Sequence, residues 1–218
     1  MSQGEDAQDL YTGTKDVTDA HKFDQSKLAA WMEDNVEGYA GPLTVEQFKG
    51  GQSNPTYKLI TPGKTYVMRR KPPGKLLPSA HAVDREFRVI NALYPTGFPV
   101  ARPYGLCTDE SVIGTIFYIM DCVEGRILWN GTLPELSPAE RRATYEAKIK
   151  TFADLHNTDW RAIGLEGFGK EGDYVARQIH RWTKQYQLSE TETIDDMNAL
   201  IEWLPKNIPP GDMTTIVH

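Results

Sequence analysis

The sequence predicts an α+β protein, with a sheet-rich first part carrying one helix and a second part that is almost wholly helical. Three observations predict it. Short β-rich segments separated by turn residues recur between residues 43 and 120, with Pro62-Gly63 as the clearest turn. One segment among them changes period, because Val83, Phe87, Ile90 and Tyr94 fall on a single helical face. After about residue 135 the apolar spacing becomes helical.

The elements follow in order. Residues 1–20 are polar and aperiodic and are expected as a loose tail. Asp24 or Ser26 caps a short helix that puts Leu28, Trp31 and Met32 on one face and ends at Gly38. Residues 43–49, 57–61 and 65–70 read as antiparallel strands, and 79–93 as the helix after them. Two more strands are expected at 101–107 and 115–120. The run Ile116-Phe117-Tyr118-Ile119-Met120 is apolar throughout, which suits a central strand. Ser137-Pro138-Ala139-Glu140 combines a capping box with proline at the first helical position, opening a helix to about His156. Val175, Ile179, Trp182 and Tyr186 share one helical face, expected to be core, and Ile194, Met197, Ile201 and Leu204 share another. Residues 205–212 form a Pro/Gly loop, and Thr214-Thr215-Ile216-Val217-His218 reads as the opening of a strand. The domain reading is a flexible tail at 1–20, a sheet lobe at 21–122, and a hinge with a partial helical lobe at 123–218.

Composition excludes several classes. The 218 residues carry 24 Lys and Arg against 30 Asp and Glu, a net charge of −6, where a nucleic-acid-binding domain would carry a basic stripe. No apolar run approaches the ~18 residues of a membrane span. The first 20 residues lack the basic start and apolar stretch of a secretory signal. Cys107 and Cys122 make neither a C-x-x-C motif nor a disulfide framework. A soluble cytoplasmic protein, with no nucleic-acid or membrane partner, is the expectation.

Four features carry chemistry. Gly50, Gly51, Gln52, Ser53 and Asn54 lie between two strand-like segments, so backbone N–H groups there can approach a phosphate closely; the alternative is an ordinary hairpin turn. On the next strand, alternation puts Val67 and Arg69 on one face and Tyr66, Met68 and Arg70 on the other. A cation there can reach phosphates under the loop, or can simply protect an edge strand. Arg70 and Lys71 are the next choices after Arg69. Glu86 borders the apolar stripe of the helix, where a carboxylate wants a cationic partner or faces solvent. Finally, the apolar strand runs into Asp121-Cys122-Val123-Glu124-Gly125, whose backbone can serve an adenine edge or only join two lobes.

In that order, the run from Gly50 to Tyr57 and the run from Tyr66 to Phe87 resemble the aminoglycoside-phosphotransferase-like kinases. Within that family they resemble the branch found as the N-terminal kinase domain of acyl-CoA dehydrogenase family members ten and eleven, and as free-standing bacterial relatives. Gly97-Phe98-Pro99-Val100, Gly125-Arg126-Ile127, Leu155-His156 and Trp182-Thr183-Lys184-Gln185-Tyr186 fit the same branch. The resemblance implies a two-lobe, protein-kinase-like fold and an ATP-dependent phosphotransferase that acts, with Mg²⁺, on a small-molecule hydroxyl. In this branch the acceptor would be a hydroxyacyl-CoA. It implies that Gly50, Gly51, Gln52, Ser53 and Asn54 cover the phosphates and that Arg69, standing where most such kinases place Lys, pairs with Glu86 and the phosphates. Asp121 and Val123 would offer backbone atoms to adenine, with Val67 on the ring. His218 would be the first letter of the catalytic-loop motif, with the catalytic Asp and the metal ligands after it. On that basis the chain is expected to be a fragment that is inactive alone. The alternative is a non-catalytic nucleotide-binding or interaction module linked to an acyl-CoA dehydrogenase, as partner or fusion.

Other patterns carry less. Gly167-Phe168-Gly169-Lys170-Glu171-Gly172 matches a dinucleotide fingerprint, but the residues before it make a poor strand. His81, His156 and His180 lack the clustering of a zinc site and read as structural.

Overall fold

The structure is a computed structural model that describes residues 12–50, 53–74, 81–211 and 214–217. The chain divides into two compact units, residues 1–153 and 154–218.

The first unit is built on a six-stranded sheet. Its strands are β1 (Thr14–Lys15), β2 (Thr44–Phe48), β3 (Thr56–Ile60), β4 (Thr65–Arg70), β5 (Pro103–Cys107) and β6 (Phe117–Asp121). They lie in the order β1-β2-β3-β4-β6-β5, every neighbouring pair antiparallel. Lys58 stands opposite Val67, Val67 opposite Met120, and Arg69 opposite Tyr118. Strand alternation therefore gives the sheet two distinct faces.

One face is the core. Tyr57, Leu59, Tyr66, Met68, Phe117 and Ile119 are buried there against Leu28, Met32 and Val36. Leu28 and Met32 belong to α1 (Gln25–Asn35), which starts where the Asp24 Oδ1 accepts from the Ser26 and Lys27 N–H groups at 3.0 and 3.1 Å. The helix approaches closely because β5 has a glycine beneath it: a Cβ on Gly105 would stand 3.1 Å from the Trp31 ring. The opposite face carries Val67, Arg69 and Tyr118 and is flanked by α2 (Val83–Leu93), where the Phe87 and Tyr118 rings lie 5.8 Å apart.

The segment expected as a tail is partly built into this unit. β1 pairs with β2, the Thr14 hydroxyl donates to Glu46 at 2.6 Å, and the Thr18 N–H donates to the Gln47 side chain at 3.2 Å. These ties are polar, and Val17, which packs against the core, stands without the periodic apolar neighbours that would announce an element. From residue 122 to Leu136 the backbone is irregular; there the Trp129 indole N–H donates to the Thr12 hydroxyl at 3.1 Å. α3 (Pro138–His156) opens on the expected capping box, with Ser137 N–H and hydroxyl on Glu140 Oε2 at 2.9 and 2.7 Å and Glu140 N–H on Ser137 Oγ at 3.3 Å.

The second unit contains α4 (Tyr174–Ser189) and α5 (Asp195–Trp203). Trp160 and Leu165 are buried in it, and the Trp160 indole N–H donates to the Thr214 carbonyl at 3.0 Å. Two expectations fail here. Residues 214–217 form no strand among the described residues; their backbone is engaged singly, as at Thr214. Trp182 is exposed and no residue of α4 is buried, because a helical stripe reports amphipathicity and not what covers it. Among the described residues no helix is long and apolar enough to cross a membrane.

Candidate functional site

The turn from β2 to β3 holds the predicted glycine-rich loop. Gly50 and Ser53 are described, whereas Gly51 and Gln52 lie outside the described residues. Asn54 closes the loop and is only 3% exposed, the reverse of what a small polar loop residue suggests.

β4 and α2 bring Arg69 and Glu86 together. Arg69 Nε lies 2.7 Å from Glu86 Oε2, and Nη2 donates to Oε1 at 3.4 Å. The shorter contact is an ion pair, not an aligned N–H···O bond. The side chains are 31% and 34% exposed, while Arg69 Nε itself is buried against the carboxylate. Two more donors reach the carboxylate: Asn54 Nδ2 to Oε1 at 3.0 Å and the Tyr118 hydroxyl to Oε2 at 3.2 Å. Burial, and then the Glu86 charge, push the Tyr118 phenol above its ordinary value, so it stays a protonated donor at neutral pH. Asn54 Oδ1 lies 3.0 Å from His81 Nδ1. Since a carboxylate only accepts, the Asn54 amide nitrogen faces Glu86 and its oxygen faces His81, which must then donate from Nδ1.

Strand alternation separates the neighbouring cations. Arg70 points to the core face, 2% exposed, with its guanidinium carbon 5.3 Å from the Phe23 ring centroid and 5.9 Å from that of Tyr57. Its Nε donates to the Lys71 carbonyl at 3.4 Å, its Nη1 has no hydrogen-bond partner among the described residues, and burial lowers its pKa. Arg70 therefore cannot reach Glu86, and Arg69 is the cation that does.

Val67 is buried on the Arg69 face. At the end of β6, Asp121 turns its side chain to the other face. There Oδ1 accepts from the Tyr104 hydroxyl at 2.6 Å and meets Lys64 Nζ at 2.9 Å. Burial pushes this carboxyl up, but the Tyr104 and Lys64 contacts outweigh it and hold it below the usual carboxylate range. The side chain is committed and the Asp121 N–H donates to the Arg102 carbonyl at 2.9 Å, so of this residue only the carbonyl is left to consider for a ligand. Val123 is 72% exposed, beside an open recess of about 550 Å³ between residues 121–124 and the Pro62-Gly63 turn. His218 lies outside the described residues.

The donor set suits a nucleotide phosphate: a guanidinium paired to a carboxylate that Asn54, at the end of the glycine-rich stretch, also holds, on the strand face that carries Val67. Among the described residues no group of three or more His, Cys, Asp or Glu could hold a metal ion. Sequence reasoning missed Asn54 as a buried residue, His81, and the Tyr118 hydroxyl inside an apolar run.

Comparison with known proteins adds the following. Residues 44–218 match the sequence model described as "Phosphotransferase enzyme family". Human acyl-CoA dehydrogenase family member 11 is 46% identical over 208 residues, covering 92% of this chain and 27% of its own length. Mouse acyl-CoA dehydrogenase family member 10 is 47% identical over 201 residues, covering 88% of this chain and 19% of its own. A crystal structure from Ralstonia eutropha JMP134, of a protein given as a candidate aminoglycoside phosphotransferase, is 56% identical with a TM-score of 0.74. The match covers 87% of this chain and 55% of that one. The chain thus spans about a quarter of the curated human relative and just over half of the solved one.

Proposed function

The chain belongs to the phosphotransferase enzyme family, and from that premise we propose that it is the nucleotide-binding part of an ATP-dependent kinase acting on a small-molecule hydroxyl. The observation that carries this reading is the Arg69–Glu86 pair, tied to Asn54 at the end of the glycine-rich stretch and on the same strand face as Val67. Gly50, Gly51, Gln52 and Ser53 cover the phosphates through backbone N–H groups, which such a loop leaves unobstructed. Arg69 neutralises phosphate charge while Glu86 holds it in place. Val67 packs on the base, and the Asp121 carbonyl and the Val123 backbone meet its polar edge. ATP supplies the transferable phosphoryl group, and Mg²⁺ travels with its phosphates. By the family pattern, His218 opens the catalytic loop, and the base and metal ligands are residues that follow it in a longer protein.

The acceptor we favour is a hydroxyacyl-CoA, because two of the relatives are named as acyl-CoA dehydrogenases. A cytoplasmic setting fits the composition. The same relatives support a second reading, a nucleotide-binding module that regulates a linked or partner acyl-CoA dehydrogenase without transferring phosphate.

ADP release decides between them. With Mg-ATP and a hydroxyacyl-CoA, the 218-residue chain should release no ADP above background. A longer natural protein containing it should release ADP only when the acceptor is present. No release from the longer protein favours the regulatory module; turnover by the 218-residue chain overturns the assignment of the base beyond His218.

A further inference from the structure

We propose that Asn54 is a positioning residue. Its side-chain amide, oriented by His81, holds the Glu86 carboxylate and so sets the Arg69 guanidinium against the end of the glycine-rich loop. This rests on the functional reading above and gives Asn54 a different use from phosphate contact, which was the expectation from sequence.

An amide at 3% exposure is costly unless both of its ends are paired, and here both are: Nδ2 on Glu86 at 3.0 Å, Oδ1 on His81 at 3.0 Å. The side chain has two groups and both are engaged inside the protein, while the Asn54 carbonyl accepts from the Thr56 hydroxyl at 3.1 Å. The chain of donors has one direction. His81 Nδ1–H donates to Asn54, Asn54 donates to Glu86, and Glu86 draws Arg69 and Tyr118. A carboxylate approached by one arginine can rotate with it. Three donors from β4, β6 and the end of the loop leave Glu86 one setting. His81 has φ 58°, a left-handed backbone that costs free energy for a residue with a side chain, and such strain persists where contacts around it hold it. The contact of its ring with Asn54 is one of these. The site is therefore an Arg–Glu pair braced from the loop, not a free pair beneath it.

Three measurements on the 218-residue chain test this. In the first, N-methylanthraniloyl-ATP and N-methylanthraniloyl-adenosine are titrated in the presence of Mg²⁺ by fluorescence. Asn54→Ala should weaken ATP binding about tenfold, the scale of one lost hydrogen bond to a charged group, and leave adenosine binding unchanged. Equal losses for both ligands would mean general damage and overturn the proposal. In the second, a double-mutant cycle with Arg69→Ala should be strongly non-additive, because Asn54 acts through that cation; additive losses overturn it. In the third, long-range ¹H–¹⁵N spectra should show the His81 Nδ1 protonated in the wild-type chain. His81→Phe, which keeps a ring and loses the donor, should weaken ATP binding in the same direction as Asn54→Ala if that variant fails to fold. If the wild-type chain binds neither ligand, the functional reading falls; an unprotonated His81 Nδ1 overturns the network on its own.

Discussion

Arg69 and Glu86 stand 17 residues apart in sequence and 2.7 Å apart in space, one on a central strand and the other in the first turn of the following helix. Two further donors converge on the same carboxylate, so its replacement tests more than one ion pair. Glu86→Gln keeps the shape but puts an NH₂ group among the Arg69, Asn54 and Tyr118 donors. The variant should lose about 1 kcal/mol of stability to urea, the cost of leaving a partly buried donor unpaired. An unchanged midpoint would show that the donors find water instead.

Arg70 presents the contrasting case, a buried cation with no carboxylate partner among the described residues. The desolvation cost of a buried guanidinium is offset only in part by the faces of Phe23 and Tyr57. Arg70→Met should therefore be neutral or stabilising by about 1 kcal/mol, whereas Arg70→Ala, which leaves a cavity, should cost about 2–4 kcal/mol. Equal losses in denaturant titrations of the two variants would show that the charge itself holds the core together.

The contact of Asp121 with Tyr104 and Lys64 predicts a pH dependence. Its carboxyl is held below the ordinary range in the folded state, so the contribution is present above the unfolded value of about 4 and is lost as pH falls through the folded value. Lys64 is shifted upward, by the Tyr104 and Asp121 contacts, so its share is fully present at neutral and acid pH as far as its own titration goes. With Lys64 40% exposed, solvent screening keeps the ion pair below about 1 kcal/mol. Asp121→Asn should be less stable than wild type at pH 7, and the gap should close below about pH 4. A gap that persists in acid, by thermal unfolding across pH, would assign it to packing.

Gly105 tests the fit of α1 on the sheet. A methyl group there would meet the Trp31 ring at 3.1 Å and the Asn35 carbonyl at 3.5 Å. Gly105→Ala should cost about 1–3 kcal/mol by chemical denaturation, and Trp31→Leu in the same chain should recover part of it. No cost would mean that the helix can back away freely.

What the sequence made legible was what period and punctuation encode. The Val83/Phe87/Ile90 stripe, the Pro62-Gly63 turn, the Asp24 cap and the Ser137–Glu140 capping box all report local backbone, and each has its counterpart in the structure. Arg69 facing Glu86 was legible through strand alternation combined with the family pattern. β1 was not, since two residues held by Glu46 and Gln47 leave no apolar trace. The role of Tyr118 depends on the β4–β6 register that sets it opposite Arg69, and register is a long-range property one sequence does not display. Asn54 reads as a turn residue until the fold buries it. Residues 214–217 show the converse, a β-rich run without a strand partner among the described residues.

The central claim is that Arg69, braced by Glu86, serves the phosphates of a bound nucleotide. Equilibrium titration of the 218-residue chain with Mg-ATP, wild type against Arg69→Ala, tests it most directly. The account predicts saturable binding by the wild type and a loss of at least about tenfold in Arg69→Ala, as expected for removing a charge-assisted contact. Equal affinity in the two chains, or no binding by the wild type, would contradict it.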